Sequence, residues 1–535
     1  MTRGRSNLSD VLPLTPLQEG LLFHAVSGRR ELDVYTVQLV LDLSGPLDGA
    51  RLRAAAERFL DRHPHLRAGF RYRDNGDPVQ LVPRTAALPW QEDHATDADE
   101  IGRLTEEDRL RPFDMARPPL LRFRLIRTGG TTYRFVLTAH QILFDGWSMP
   151  VIIGELFTLY GDPSAPLPPV TPYKTYLAHL ARQDTAGAET AWREALDGLT
   201  DATLVAPGGT AGSRLPDHHV LTLPAGFTAE LTTWAKERGL TLNTVVQGAW
   251  ATVLGTLTGR SDIVFGSTVS GRPPELPGVE SMVGLFINTV PVRVTLDPYA
   301  TFPQILGRLQ ERQAALLPHQ HLGAARIQRA VGLGELYDTV LVFENYPLDP
   351  AALRDPVPGL AVTGLEAKDA THYPLSLMAV PGERLRLTVS YDPGRYAPAD
   401  AADVAARLER VLRTAVAEPG TPSGRIGTLL PGEDVLDLPV PSGRDAFTDV
   451  VARVRELSAA RPGAEAVADD HGSLTYAGLA GRAGGIAAHL AGAGIGPGAQ
   501  VGVLAGPGRD FVAAVLGTLA AGAAWVPLDV HAPTA

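Results

Sequence analysis

The residues best suited to chemistry lie together in residues 140–148, which read His-Gln-Ile-Leu-Phe-Asp-Gly-Trp-Ser. An imidazole at His140 is followed by a carboxamide at Gln141 and a carboxylate at Asp145. Attack of an amine on a thioester requires a proton acceptor as the adduct forms, and an imidazole with a pKa near ~6.5 suits that task. A carboxamide can orient the amine by hydrogen bonds but cannot take its proton. The segment therefore points to acyl transfer with a weakened base.

The flanking pattern predicts that this segment lies on a turn between a strand and a helix. Residues 113–125 and 133–139 are predicted to form a hairpin that leads into the segment. The apolar residues 151–160 predict the helix that follows it. A strand-to-helix turn would hold the polar side chains at the end of a sheet.

Taken one at a time, these residues have simpler explanations. Asp145-Gly146 is typical of an ordinary turn, and a histidine at a strand end is more often structural than catalytic. The ordered combination favours a functional site. Its members are His140, Gln141, Asp145, Gly146, Trp147 and Ser148.

The rest of the chain predicts an α/β protein with more than one domain. Residues 34–43 alternate as a strand, and residues 47–63 and 240–257 carry apolar residues at helical spacing. Two Pro-rich stretches, residues 161–169 and 438–444, are predicted to separate structural units. A length of 535 residues agrees with two or three domains.

Composition narrows the class of protein without identifying it. The chain has no cysteine, which excludes disulfides, thiolate catalysis and Cys-based metal sites. A net charge of −11 argues against broad nucleic-acid binding. The polar amino terminus and the absence of a long apolar run predict a cytoplasmic protein without membrane contact. No pattern supports homo-oligomerisation, so we expect a monomer.

Residues 140–148 resemble the HHxxxDG motif of chloramphenicol acetyltransferases and of the condensation domains of nonribosomal peptide synthetases. Gln141 stands where the motif has its second histidine. Six further segments resemble condensation-domain motifs in the expected order, and such a series is far more specific than any one short match. These segments are residues 12–24, 62–70, 172–177, 283–293, 319–322 and 337–346.

The resemblance implies two chloramphenicol-acetyltransferase-like lobes in a V-shaped pseudo-dimer, residues 1–165 and 166–436. It implies that a donor and an acceptor carrier protein each deliver a thioester on a phosphopantetheine arm, with no intrinsic cofactor or metal. Neighbouring synthetase domains would be further partners. The first motif and the loop after His140 are similar to the subclass that takes a donor ending in a D-residue.

The resemblance also implies roles for individual residues. His140 and Asp145 would be chiefly architectural, and Asp145 would pair with an arginine, for which we expect Arg293. Trp147, Ser148 and Asn288 would support the site.

A second resemblance begins after a linker at residues 437–446. Residues 474–479 and 519–529 are similar to the first two core motifs of adenylation domains. Residues 447–535 would then be a partial adenylation domain, and the given sequence lacks the phosphate loop that ATP-dependent activation needs. We therefore expect no adenylation activity and interpret the chain as a piece of a larger synthetase.

Gln141 leaves several hypotheses open. It could be an engineered change that traps substrate, a natural inactivating change, or a natural retuning toward dehydration or cyclisation of the bound chain. A catalytically silent module that docks carrier proteins is an alternative from a different class. A free-standing small-molecule acyltransferase is the least favoured, because an adenylation-like segment follows.

Overall fold

The structure is a computed structural model that describes residues 7–27, 33–207, 214–344, 356–433 and 449–529. The chain divides into two compact units, Met1–Asp434 and Val435–Ala535. Residues 345–346 of the last motif and the expected linker at residues 437–446 lie outside the described residues.

The first unit contains fourteen described strands in three sheets. The strands are β1 (Leu8–Leu12), β2 (Thr36–Ser44), β3 (Gly69–Tyr72), β4 (Pro78–Pro83), β5 (Trp90–His94), β6 (Leu121–Arg127), β7 (Thr132–His140), β8 (Asp217–Thr222), β9 (Asp262–Val269), β10 (Asn288–Thr295), β11 (Thr339–Phe343), β12 (Ala361–Lys368), β13 (Leu375–Val380) and β14 (Arg386–Tyr391).

Eleven described α-helices accompany these strands. They are α1 (Pro16–Ser27), α2 (Gly49–Arg62), α3 (Ala98–Leu110), α4 (Ser148–Gly161), α5 (Tyr173–Leu180), α6 (Thr185–Ala195), α7 (Ala225–Glu237), α8 (Leu242–Thr258), α9 (Phe302–Leu316), α10 (Ala324–Val331) and α11 (Pro398–Ala417).

Two of the sheets organise the unit. One has five strands in the order β12-β2-β7-β6-β5, and the other has six in the order β10-β9-β11-β13-β14-β8. Each sheet has its own apolar core, the first with α2 and α4 and the second with α8, α9 and α11. A three-stranded sheet, β1-β4-β3, completes the unit. The α/β class predicted from the sequence is confirmed.

Strand β12 comes from the second half of the chain but pairs with β2 in the five-stranded sheet. The segment after it leads directly to β13 in the six-stranded sheet. The division at residue 165 therefore stays a prediction, and β12 crosses it.

Several predicted elements agree with the structure. The strand at 34–43 is β2, the helix at 47–63 is α2, and the helix at 240–257 is α8. Asp48 caps α2 by accepting from the Arg51 N–H, and the helix ends before Pro64 as expected.

The predicted hairpin is confirmed, but its first strand starts at Leu121 rather than at residue 113. Prolines at 118 and 119 cannot donate to a strand ladder, which explains the later start.

The second unit contains two strand pairs and three helices among its described residues. They are α12 (Val450–Ala460), β15 (Glu465–Asp469), β16 (Gly472–Thr475), α13 (Tyr476–Gly492), β17 (Gln500–Leu504), α14 (Arg509–Ala520) and β18 (Ala524–Leu528). β15 and β16 pair antiparallel, whereas β17 and β18 pair parallel on either side of α14. A small apolar cluster between α13 and α14 holds this unit together.

Within the described ranges, no helix combines the length and the apolar character needed to cross a membrane.

Candidate active site

His140 is the last residue of β7, opposite Thr36 of β2, and its side chain is fully buried. Its Nδ1 accepts a hydrogen bond from the Ile142 N–H at 3.1 Å. Its Nε2 lies 3.2 Å from Asp33 Oδ2, in ion-pair range but without hydrogen-bond geometry. The imidazole therefore secures the turn from inside and does not offer a free lone pair to a substrate.

Gln141 follows directly and lies in a different environment. Its N–H donates to the Tyr35 carbonyl at 2.9 Å, which continues the β2–β7 pairing by one residue. The side chain is partly exposed, and its carboxamide has no hydrogen-bond partner among the residues that the structure describes. Position 141 is thus the place in this loop where a side chain remains available to another molecule.

Asp145 is buried at 3% exposure and accepts four hydrogen bonds. Its Oδ1 accepts from the Ser148 N–H at 3.1 Å, the Ser148 hydroxyl at 3.0 Å and Arg272 Nη2 at 3.1 Å. Its Oδ2 accepts from the Phe286 N–H at 2.9 Å. The carboxylate is therefore fully used in holding the loop, as the resemblance implied. Its bond to Ser148 also explains why α4 begins at residue 148 rather than at 151.

The arginine that pairs with Asp145 is Arg272, and the expectation of Arg293 was wrong. Arg293 pairs with Asp262 on the adjacent strand at 2.8 Å. It lies five residues beyond Asn288, the end of β10 nearest the site, a distance of roughly 16 Å along a strand. Asn288 pairs with Val269 at the end of β9, so the turn after β9, which contains Arg272, reaches Asp145.

Arg272 is held from several directions. Its Nη1 donates to the carbonyls of Val279 and Met282, and its guanidinium lies 4.0 Å from the centre of the Phe286 ring. Gly271 before it has a φ of +59°, and a Cβ there would lie 1.9 Å from the Phe286 carbonyl oxygen. A glycine before an arginine at a strand end was the available sequence signal for this residue.

The loop before β10 closes the same frame. Gly284 donates its N–H to the Ser148 hydroxyl at 3.0 Å, and its carbonyl accepts from the Asp145 N–H at 3.1 Å. The Tyr173 hydroxyl donates to the Leu285 carbonyl at 2.6 Å. Burial raises the pKa of Tyr173 well above its ordinary value, so the hydroxyl remains a donor at neutral pH.

The other expected site residues have different positions. Asn288 is buried and donates through Nδ2 to the carbonyls of Gln320 at 2.8 Å and Leu322 at 2.9 Å, which ties the 319–322 segment to β10. Gly146 and Trp147 are partly exposed on the turn before α4. Asn288 therefore supports the surroundings of the loop, whereas the position of Trp147 leaves its ring partly open to solvent.

A cluster of rings that sequence reasoning missed lies at the same end of the sheet. The Tyr35 hydroxyl is 2.8 Å from His372 Nδ1, and the His24 ring centre is 4.7 Å from that of His372. Tyr35 also lies beside His140, with ring centres 6.3 Å apart. Because His372 is more than 300 positions from Tyr35 in the chain, no local pattern could have joined them.

Comparison with known proteins agrees with this geometry. Residues 8–435 match the family described as "Condensation domain", and residues 454–535 match "AMP-binding enzyme". One of the linear gramicidin synthase proteins of Brevibacillus parabrevis is 36% identical over 98% of this chain, which covers 10% of that protein. Surfactin synthase subunit 3 of Bacillus subtilis (strain 168) is 30% identical over 99% of this chain, which covers 43% of it. The chain thus spans less than half the length of these relatives.

Solved structures show the same fold. A four-domain nonribosomal peptide synthetase bound to AMP and glycine aligns with a TM-score of 0.70 at 20% identity, over all of this chain and 42% of that one. The first condensation domain of the calcium-dependent antibiotic synthetase aligns with a TM-score of 0.66 at 21% identity, over 79% of this chain and all of that one. The X-domain solved in complex with OxyB from teicoplanin biosynthesis aligns with a TM-score of 0.68 at 24% identity, over 80% of this chain and 97% of that one. The chain belongs to the condensation-domain family of nonribosomal peptide synthetases and continues into a short AMP-binding segment.

Proposed function

We propose that this chain joins a donor acyl or peptidyl thioester to the amine of an acceptor aminoacyl thioester, and that Gln141 slows the reaction. Both thioesters would be carried on phosphopantetheine arms of carrier proteins from neighbouring synthetase domains. The donor is proposed to end in a D-residue, which an assay with matched D- and L-donors would test.

The availability of position 141 carries this proposal. Asp145 is buried with four donors, and His140 Nδ1 is occupied by the Ile142 N–H. The Gln141 side chain alone among these three is partly exposed and without a described partner. It is therefore the group placed to meet the acceptor amine, and it can orient that amine by hydrogen bonds without accepting its proton.

The expected rate follows from the size of the two effects. Orientation of reacting groups can contribute ~7 to 11 kcal/mol in well-aligned cases, and this contribution remains. Loss of a general base removes a factor of ~10² to 10⁴. The chain should accordingly form product, but slowly.

Intact-protein mass spectrometry of dipeptidyl-carrier formation tests the proposal. With both carriers loaded, Gln141→His should be faster than the present chain by at least ~10². Gln141→Ala is the matched control, since it removes the orienting amide without adding a base, and it should be slower than the present chain. Product from neither the present chain nor Gln141→His would favour a silent carrier-docking module or altered chemistry.

A further inference from the structure

The segment that joins the two large sheets passes the end of β7 where the motif loop begins. Lys368 at the end of β12 pairs with Gln38, and two residues earlier in β2 Thr36 pairs with His140. The chain that leaves β12 therefore runs toward the motif loop before it enters β13. His372 lies in this connection.

Two contacts link His372 to the residue that replaces the second histidine. The first is the 2.8 Å contact between His372 Nδ1 and the Tyr35 hydroxyl. The second is the hydrogen bond from the Gln141 N–H to the Tyr35 carbonyl. Tyr35 is thus a direct neighbour of both residues, and it places an imidazole beside position 141.

His372 differs from His140 in the property that a base needs. His140 is fully buried with its Nδ1 occupied, whereas His372 is partly exposed. When the His372 Nδ1–H donates to the Tyr35 oxygen, the lone pair of the neutral ring is on Nε2. Tyr35 then orients His372 in the same manner as a second residue orients a catalytic imidazole in other enzymes.

Other titratable groups around His372 are its ring neighbours His24 and Tyr373, with centres at 4.7 and 4.1 Å. Asp33 reaches the cluster through the Tyr35 N–H at 3.0 Å. Burial raises the pKa of Tyr373 to about 12, so this residue stays protonated at neutral pH. Both histidines of the cluster are partly exposed, and imidazole is the side chain suited to exchanging a proton near neutral pH.

We propose that His372, oriented by Tyr35, accepts the proton of the attacking amine in place of the histidine absent at position 141. This inference rests on the proposed amide-forming activity. The amine nitrogen forms a C–N bond with the thioester carbonyl carbon, and its surplus proton passes to His372 Nε2. The C–S bond then breaks, and the departing pantetheine sulfur takes the proton back from the imidazolium.

Single-turnover rates of dipeptidyl-carrier formation between about pH 5 and 8 test this role. His372→Gln should lower the rate of the present chain at least ~10-fold and flatten its rise with pH. Tyr35→Phe, which keeps the ring and removes the oxygen, should shift the profile with a smaller loss. His24→Gln is the matched control from the same cluster and should change the rate less than about 3-fold. Thermal unfolding of each variant checks the fold.

Repeating His372→Gln in the Gln141→His background separates catalysis from structure. There the new histidine supplies the base, so the loss should fall below about 3-fold. An equal loss in both backgrounds, or no loss in the present chain, would overturn the role of His372. A present chain without turnover beside an active Gln141→His would also overturn it while leaving the proposed function intact. A Gln141→His variant no faster than the present chain would instead contradict the proposed effect of Gln141.

Discussion

Asp145 and Gln141 lie four residues apart in one loop, yet their surroundings are opposite in kind. Asp145 is buried and accepts four hydrogen bonds from Ser148, Arg272 and Phe286. The Gln141 side chain has no described partner and is partly exposed. The residue that shapes the loop is therefore separate from the residue that meets the substrate. A change at position 141 can alter the chemistry while the frame around Asp145 persists.

Removal of the buried arginine should give the largest effect on stability. Arg272→Ala leaves the Asp145 carboxylate without its cation, and an unpaired buried charge costs about 3 to 5 kcal/mol. Arg293→Ala is the matched control, because its partly exposed pair with Asp262 should contribute about 1 kcal/mol or less. Urea unfolding followed by tryptophan fluorescence measures the difference. Equal losses for the two variants would contradict the assignment of Arg272.

Acid should weaken the support behind this frame through His65. Its ring stacks on Tyr173, and burial, followed by the charge of His63, lowers the pKa of His65 to about 3. The unfolded chain binds this proton below about pH 6.5 and the folded protein does not, so stability falls as pH decreases from 6.5 toward 3. The loss is about 1.4 kcal/mol per pH unit, or about 2 kcal/mol at pH 5.

His65→Phe keeps a ring against Tyr173 and removes the titrating group. The variant should lose less stability than the parent between about pH 6.5 and 5, as measured by urea unfolding at each pH. An unchanged dependence on pH would show that another group causes it.

A smaller effect is expected at the edge of the site. Asn288→Ala removes two donors and leaves the carbonyls of Gln320 and Leu322 without them, at a cost of about 1 to 2 kcal/mol. Hydrogen exchange should accelerate in residues 317–323 and remain unchanged in the motif loop. Faster exchange at Asp145 as well would mean that the two regions are not separate.

Much of the local structure could be predicted from the sequence. The strand-to-helix turn at residues 140–148 follows from apolar periodicity on both sides, and the role of Asp145 followed from the resemblance. The partner of Asp145 did not, because Arg272 is 127 positions away and its approach depends on the β9–β10 pairing and the turn after Val269. His372 had no local signal either, since β12 had to join the other sheet before the chain could reach Tyr35.

The central claim is that the frame is intact and only the base at position 141 is lacking. Single-turnover amide formation by the present chain and by Gln141→His, at saturating concentrations of both loaded carriers and neutral pH, tests it most directly. The account predicts the same unfolding midpoint for both proteins and a rate at least ~10² higher for Gln141→His. Equal rates from two equally stable proteins would contradict it.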